Sequence, residues 1–530
     1  MRNFELPGRS PVYATNAMAA TSHPLSTLSA VKVLQAGGNA VDAALAACAV
    51  QCVVEPGSTG IGGDCFMLFS PAGKADVVAY NGSGRTPAQC SLDWYRGDGI
   101  DAIQRQSPHA VTVPGAVEAW GRICADWGSW DLGRILGDAI SLAEAGYAVS
   151  PRVHRDWAQE KVRLERDAGC KEIYLPHGAV PAVGTRHRNP RLAATLKRIA
   201  NEGPKAFYQG SIARSLVSFL RSRGGLHTLE DFAATAGEYV EPIRTAYKGY
   251  DVWECPPNGQ GIIALMMLNA LSRFQPGASA LSAQRIHLEI EAARLAYNER
   301  NLFLGDPDYT GHSLDWMLSD VHAEALAGMI DPDKALAELP GVAAPVTSNT
   351  VYVSVVDRDR NAVSFINSLF DEFGSCLTDP ETGVLLHNRG QSFSLRDDHP
   401  NAMGPRKRPL HTLIPGMVTR GDRVCMPFGV MGGHYQALGH VQFLSRLLEY
   451  GHDLQECADL PRVYPCVETG TVEVESSLPQ GVVAELRERG HRPVPSTEPI
   501  GGAQAVWIDW ENGVLTGASD PRKDGCALGY

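Results

Sequence analysis

Hydrophobic and polar positions divide this chain near residue 350, with helical spacing prevailing before it and strand-like alternation after it. The segment Asn39–Cys52 is apolar nearly all round, which predicts a buried helix, and Leu281–Leu304 has the spacing of a long amphipathic helix. Further helices are predicted at Thr21–Gln35, Pro114–Trp127, Leu132–Ala145, Arg191–Asn201, Ser211–Arg223, Ile262–Phe274, Ser319–Met329, Gly439–Tyr450 and Leu478–Arg489.

Short runs of β-branched, aromatic and aliphatic residues between turn residues predict the strands. Two hairpins precede residue 350, namely Cys65–Ser70 with Ala75–Tyr80 and Pro242–Tyr247 with Tyr250–Cys255. Later strands are predicted at 350–356, 362–369, 382–386, 424–430, 503–509 and 514–519. The order of elements predicts a layered α/β fold with its sheets inside.

The hairpin that starts at Thr350 carries the most suggestive chemistry. A polar, proline-containing linker, Asp331–Ser348, ends just before it, and a polar turn joins the strand Val351–Val356 to Ala362–Leu369. A strand that opens on a hydroxyl residue suits an enzyme whose chain is cut there, because the freed α-amine can act as base for that hydroxyl. Many strands begin with threonine, so an ordinary strand is the alternative.

Length and composition are those of a globular protein with a large core. The 530 residues are 44% hydrophobic and 20% charged, enough for two or more structural units. A net charge of −12 argues against a nucleic-acid partner. The apolar run Ala40–Val54 is too short to cross a membrane and the first nine residues lack a signal-peptide core, so we expect a cytoplasmic protein.

Several other kinds of site are disfavoured because their motifs are missing. The glycine loop 57–63 lacks the third glycine of a dinucleotide-binding loop, which favours a loop that packs its backbone against a pocket. No GxSxG or HExxH motif occurs, and His387, His399 and His411 lack supporting ligand spacing, so we predict no cofactor and no metal. The twelve cysteines are scattered, which favours buried thiols. The turn Met431–His434 can supply backbone amides to an oxyanion or be only a tight turn.

Ordered blocks along nearly the whole chain resemble the γ-glutamyltranspeptidase family of N-terminal nucleophile hydrolases. The first block is Gln35–Ala44, and the most specific one joins Thr350 to Ser354–Asp357 and Phe373–Ser375. The others are Gly60–Gly63, Val113–Gly115, Pro256–Pro257 with Gly261, Gly305–Pro307, Asn361–Val363, Gly383 with Leu385–Leu386, Gly432–Gly433 and Ser519–Arg522.

The resemblance implies a four-layer αββα sandwich made from a precursor that cuts itself between Asn349 and Thr350. A helix-rich large chain, 1–349, and a strand-rich small chain of 181 residues, 350–530, would stay associated. The freed α-amine, with an ordinary pKa of about 7.7–8, would be the general base.

The same resemblance assigns roles to residues around this new terminus. Thr350 would attack the substrate amide, and Ser368 would hold the nucleophile where the family has a second threonine. The amides of Gly432 and Gly433 would stabilise the oxyanion. Asn367, next to Ser368, would lie in one wall of the substrate pocket.

The residues with which the family's transpeptidases hold a γ-glutamyl group are replaced in this chain. The corresponding positions carry Ser83, with Arg85 as the nearest arginine, and Phe370, Ser392, Arg389, His411 and Thr412. The acid that would pair with a substrate ammonium is lost and an arginine is gained, so we expect a substrate with an anionic group and no α-amine.

This variant pattern is similar to a hydrolytic branch of the family that includes oxamate amidohydrolases and relatives of cephalosporin acylases. We therefore expect an autoprocessing threonine amidohydrolase that acts on the amide of a small, oxamate-like carboxylate. Two alternatives stay open, a glutathione hydrolase or γ-glutamyltransferase with an altered clamp and a non-catalytic scaffold or binding homologue. Hydrolysis against transfer, a higher oligomer and a lid in segment 387–408 also stay open.

Overall fold

The structure, a computed structural model, describes residues 8–311, 313–336, 350–467 and 469–530. Asn349, on one side of the predicted cut, and most of the predicted linker 331–348 therefore lie outside the described residues. No helix among the described residues is long and apolar enough to cross a membrane.

The strands are mostly short and lie where apolar runs alternate with turns. They are β1 (Val12–Ala14), β2 (Met18–Thr21), β3 (Asp64–Ser70), β4 (Val78–Gly82), β5 (Tyr147–Ala148), β6 (Arg186–His187), β7 (Glu238–Val240), β8 (Ile243–Tyr247), β9 (Tyr250–Glu254), β10 (Val351–Val356), β11 (Ala362–Ser368), β12 (Leu377–Thr378), β13 (Leu385–Leu386), β14 (Gly416–Arg420), β15 (Arg423–Met431), β16 (Val463–Cys466), β17 (Thr471–Val474), β18 (Pro493–Pro495), β19 (Gly502–Asp509), β20 (Val514–Ser519) and β21 (Cys526–Gly529).

Two antiparallel sheets organise these strands. In the described chain, one sheet has the order β1-β20-β19-β15-β14-β9-β8 and the other the order β21-β2-β10-β11-β3-β4-β7. Both sheets combine strands from before and after residue 350, so neither predicted chain holds a complete sheet. The predicted mixed α/β class is confirmed.

Alternating side chains on each strand pack the two sheets against one another and against helices. Phe66, Ile366 and Tyr352 of the second sheet meet Met417 and Val506 of the first in one buried apolar cluster. Their sequence neighbours point the other way, toward the helices, as the period of two requires.

The helices cover the outer faces of the sheets. They are α1 (Pro24–Gln35), α2 (Ala40–Val54), α3 (Leu92–Gly97), α4 (Ala116–Trp127), α5 (Leu132–Ile135), α6 (Gly137–Ala145), α7 (Pro151–Leu164), α8 (Ala168–Tyr174), α9 (Pro190–Glu202), α10 (Lys205–Tyr208), α11 (Ser211–Arg221), α12 (Leu229–Ala233), α13 (Gly261–Leu271), α14 (Ala283–Phe303), α15 (Leu314–Met317), α16 (Asp320–Met329), α17 (Gln436–Leu444), α18 (Leu454–Asp459) and α19 (Gln480–Glu488). Helix α2 packs on β10 and β11, and α13 and α17 pack on the other sheet.

Two predicted elements need correction. Helix α14 exists but is not amphipathic, because it is buried on most sides and pairs its charges internally. Arg285 on α14, for example, contacts Glu289 at 2.8 Å and Glu449 at 2.9 Å, with all three side chains nearly inaccessible. The predicted strand 382–386 is reduced to the two residues of β13, which pair with β12, and Leu386 forms one further bridge to Gly62.

The fold brings three chain segments to one place between the sheets. Thr350 immediately precedes β10, and Ser368 ends the adjacent strand β11. Strand β15 of the other sheet ends at Met431 and leads into the turn that contains Gly432 and Gly433. The stacking of the two sheets thus determines where the predicted nucleophile and the predicted oxyanion amides lie.

Candidate active site

The hydroxyl of Thr350 lies in a buried cluster of polar side chains. Its Oγ1 is 3.2 Å from Oγ of Ser368 and 3.5 Å from Nε2 of Gln436. The Ser368 oxygen also accepts a hydrogen bond from the backbone N–H of Phe370 at 2.8 Å. Thr350 and Ser368 are each 1% exposed, so solvent does not reorient either hydroxyl.

The turn after β15 requires glycine. Gly432 and Gly433 have φ angles of +128° and +57°, a region that side chains disfavour. A Cβ atom on Gly432 would also lie 2.8 Å from the Cα of Gly501. The N–H groups of Gly432 and Gly433 donate to no acceptor among the described residues, so this turn has the unpaired donors that an oxyanion hole requires.

The glycine loop before β3 supports the other side of the cluster. A Cβ atom on Gly63 would lie 2.3 Å from the carbonyl oxygen of Ser368, and one on Gly62 would lie 2.2 Å from that of Leu385. Only glycine permits this approach without displacing the backbone. The loop packs its backbone against the site, as predicted.

Arg389 presents an unused hydrogen-bonding edge inside the protein. Its Nη1 donates to Oγ1 of Thr412 at 2.9 Å, whereas its Nε and Nη2 have no partner among the described residues. Burial lowers the pKa of Arg389 to about 9, against the opposing effect of Asp64 and Asp371. Nε and Nη2 form the side of a guanidinium that binds a carboxylate with two parallel hydrogen bonds.

The ring of Phe370 lies beside both the guanidinium of Arg389 and the imidazole of His434. The Cζ atom of Arg389 is 4.0 Å from the centre of the Phe370 ring, and the ring of His434 meets it edge-on at 6.3 Å. Phe370 has a φ of +81°, which is unusual for a bulky residue and is typical of strained positions at functional sites.

Asp64 is a buried carboxylate that joins several parts of the site. Its Oδ1 accepts hydrogen bonds from the N–H groups of Gly84 and Gly115, both at 3.0 Å. Its Oδ2 is 3.3 Å from Nε2 of His411 and 3.5 Å from Nδ1 of His387. Burial would raise the pKa of Asp64, but the neighbouring histidines and Arg389 hold it below its ordinary value.

Sequence comparison places this site in a known family. The family described as Gamma-glutamyltranspeptidase matches residues 26–530. The chain belongs to this family. It is 36% identical to the "Glutathione hydrolase-like YwrD proenzyme" of Bacillus subtilis, over 98% of this chain and 99% of the relative. It is 34% identical to the "Oxamate amidohydrolase proenzyme" of Klebsiella pneumoniae, over the same shares.

Solved structures agree with the family assignment. A cephalosporin acylase from Bacillus halodurans superposes with a TM-score of 0.94 at 36% identity, covering 100% of this chain and 99% of that one. The predicted γ-glutamyltranspeptidase family and the prediction of an enzyme are confirmed.

Two residues predicted to bind substrate have contacts elsewhere in this member of the family. Arg85 is one-third exposed and pairs with Asp306 and Asp308, both at 3.2 Å. Asn367 donates to Oγ1 of Thr59 at 2.7 Å, so it supports the glycine loop from the face opposite Ser368. Neither residue has a recorded contact with Thr350, and their substrate contacts stay predictions.

His411 also has its ring nitrogens occupied. Nδ1 accepts from the N–H of Leu413 at 3.3 Å, so the proton lies on Nε2, which faces Asp64. Burial and then Arg389 lower the pKa of His411 to about 3. These contacts favour a role for His411 in positioning Asp64 over direct contact with substrate. Thr412, by contrast, accepts a hydrogen bond from Arg389.

The sequence analysis missed Asp64, Gln436 and His434 as members of the site. Asp64 and His434 could have been predicted from the sequence, since each directly follows a pair of glycines that matches the family. Their partners come from distant segments, and no spacing along the chain shows such pairing.

Among the described residues, one cluster of side chains could bind a metal ion, and none of its members contacts Thr350. His287, Glu291 and His491 are buried together. Nδ1 of His287 is 2.7 Å from Nε2 of His491, and Nε2 of His287 is 2.8 Å from the carbonyl of Asp331. Both ring nitrogens of His287 are therefore already hydrogen-bonded within the protein.

Proposed function

We propose that this protein is a proenzyme that cuts itself before Thr350 and then hydrolyses the amide bond of a small acid whose carboxylate binds Arg389. Thr350 would attack the amide carbonyl, its freed α-amine would take the proton, and water would release the acid from the acyl-enzyme. The fold would be the four-layer αββα sandwich of N-terminal nucleophile hydrolases, with two products that share both sheets and so stay together.

The arrangement around Thr350 supports the processing step. A buried hydroxyl in contact with Ser368, together with two unpaired glycine amides in the turn before Gln436, which lies 3.5 Å from that hydroxyl, has the parts that an acyl-transfer reaction needs. Relatives of similar length are described as proenzymes, which also supports a precursor that is cut.

The observation that carries the substrate proposal is the unpaired edge of Arg389. A buried guanidinium with two unpaired nitrogen donors is costly unless an anion pairs with it. The described part of the chain offers Nε and Nη2 of Arg389 no carboxylate within hydrogen-bond distance. A small substrate carboxylate would satisfy both, and the similarity to an oxamate amidohydrolase points to the same chemical class.

A second candidate is hydrolysis of γ-glutamyl amides such as glutathione. It is favoured by the 36% identity to a glutathione hydrolase-like relative. It is disfavoured by the residues near the nucleophile, because Phe370 and Ser392 provide no anion for a substrate ammonium. Asp371, the nearest acid in sequence, instead contacts Asn388 at 2.7 Å and Arg105 at 3.2 Å.

Ammonia release from oxamate by the cut enzyme tests this proposal, with glutathione and a glutaryl amide as competing substrates. We expect Arg389→Met to lower kcat/KM for oxamate by about 100-fold, because a charge-assisted bidentate contact contributes about 3 kcal/mol. Arg122→Met, at a mostly exposed arginine that pairs with Asp126, is the matched control and should change it less than threefold. Efficient release of glutamate from glutathione with no ammonia from oxamate would contradict the proposal and favour the second candidate.

A further inference from the structure

A cavity of about 430 Å³ adjoins the proposed carboxylate site. Thr412 and His434 line it, together with Arg300 and Asn301 from the end of α14, residues 101–103 and residues of the segment 391–401. Small-molecule sites in proteins range from about 300 to 1,000 Å³. The cavity therefore has room for more than the six non-hydrogen atoms of oxamate.

His434 faces this cavity with a defined tautomer. Nη1 of Arg300 is 2.8 Å from Nδ1 of His434, and because a guanidinium only donates, Nδ1 must be the acceptor. The proton of the neutral ring therefore lies on Nε2. That atom is buried and has no hydrogen-bond partner among the described residues, and His434 as a whole is 3% exposed.

Two arginines set the charge around this imidazole. Burial, followed by Arg300 and Arg389, holds the pKa of His434 well below its ordinary value, so the ring stays neutral. Arg300 is itself fixed by Oε1 of Gln260 at 2.9 Å and by Oδ1 of Asn301 at 2.8 Å. His434 thus offers the cavity a neutral N–H donor beside the guanidinium of Arg300, which favours an oxygen acceptor as its partner.

We propose that this cavity is a second compartment of the substrate site and that Nε2–H of His434 binds an oxygen on the acyl group of the substrate. The preferred acyl group then has a carboxylate for Arg389 and a further hydroxyl, carbonyl or carboxylate oxygen for His434. Cζ of Arg389 and the ring centre of His434 lie 4.0 and 6.3 Å from the centre of the same Phe370 ring, so they are at most about 10 Å apart, which one short acyl chain with a hydrogen bond at each end can span. The inference rests on the proposed amide hydrolysis and narrows its substrate class to oxygen-substituted acid amides.

A pair of substrates that differ by one oxygen tests the inference. The 4-monoamide of malic acid, offered as each enantiomer, carries a hydroxyl that succinamate lacks. We expect wild-type enzyme to prefer one enantiomer over succinamate by about tenfold in kcat/KM, mainly through KM, since a neutral hydrogen bond contributes that much.

Substitutions of His434 assign the preference to its N–H group. His434→Phe keeps a ring of similar shape but has no donor, and it should bring the ratio of the two kcat/KM values close to one. His434→Gln can accept from Arg300 and still donate, so most of the preference should return. His452→Phe, a change at a partly exposed histidine that pairs with Glu456, is the control and should leave the ratio unchanged.

The outcomes separate this inference from the proposed function. Ammonia release from succinamate with a ratio near one in wild-type enzyme, or a ratio that His434→Phe leaves unchanged, would overturn the inference alone. An uncut chain that hydrolyses none of these amides would overturn the proposed function as well. If His434→Phe does not fold, His434→Met, which also lacks an N–H donor, replaces it and should likewise bring the ratio close to one.

Discussion

At the scale of single residues, the site depends on polar groups whose partners are set by tertiary structure. The predicted nucleophile Thr350 and its neighbour Ser368 could be found from the sequence because they begin and end one hairpin within a family motif. The free edge of Arg389 and the tautomer of His434 could not, because each depends on atoms from segments far apart in the chain. Residue type alone does not show whether a buried donor has a partner.

Ser368 provides a residue-scale prediction for catalysis. Ser368→Ala removes the hydroxyl beside Thr350 and leaves the N–H of Phe370 without its acceptor, so we expect kcat to fall by about tenfold or more, as the loss of one such hydrogen bond implies. Ser368→Thr keeps the hydroxyl and should retain most of the activity. Steady-state ammonia release measures both, and equal activity of Ser368→Ala and wild type would contradict the assigned role.

At the scale of elements, alternation and turn residues predicted the hairpins well. Helix α14 shows where this reasoning fails, since its charged residues are buried in ion pairs that the sequence pattern treats as a solvent face. Strand β14 and helix α7 were not predicted. Strand β14 pairs with β9, which lies far earlier in the chain, as well as with the adjacent β15, so local propensity gave little signal for it.

The glycine loop provides an element-scale prediction for stability and processing. Gly63→Ala places a Cβ atom against the carbonyl of Ser368, and overpacking of this kind costs about 1–3 kcal/mol. We expect a lower Tm and slower self-cleavage, measured by calorimetry and by denaturing electrophoresis over time. Gly481→Ala has open space around its Cβ atom and is the control. Wild-type Tm and cleavage in Gly63→Ala would contradict the packing argument.

At the scale of the whole molecule, buried histidines make stability depend on pH. Burial lowers the folded-state pKa to about 4 for His23, His187 and His227 and to about 3 for His411 and His491. The unfolded chain, with histidine pKa values of about 6.5, binds more protons below that pH. Each histidine should therefore cost about 2 kcal/mol of folding free energy at pH 5 relative to pH 7.5.

Two buried acids oppose this effect without reversing it. Burial raises the pKa of Glu55 to about 7 and that of Glu372 to about 8, so their folded forms take up protons as the pH falls. Five histidines outweigh two acids between pH 6.5 and 5, and we expect Tm to decrease steadily over that interval. Scanning calorimetry in buffers of equal ionic strength measures it, and a constant or rising Tm would show that these histidines are not held neutral.

The shared sheets explain how one cut can create an active site without dividing the molecule. Each sheet contains strands from both sides of residue 350, so the products cannot separate without breaking strand pairs throughout the core. The most direct test of the central claim is the intact mass of the purified protein under denaturing conditions. We predict two chains for wild type, the smaller starting at Thr350 with 181 residues, and one chain for Thr350→Ala. A single uncut wild-type chain that still hydrolyses the substrate, or a cut at another position, would contradict the assignment of Thr350 as the nucleophile.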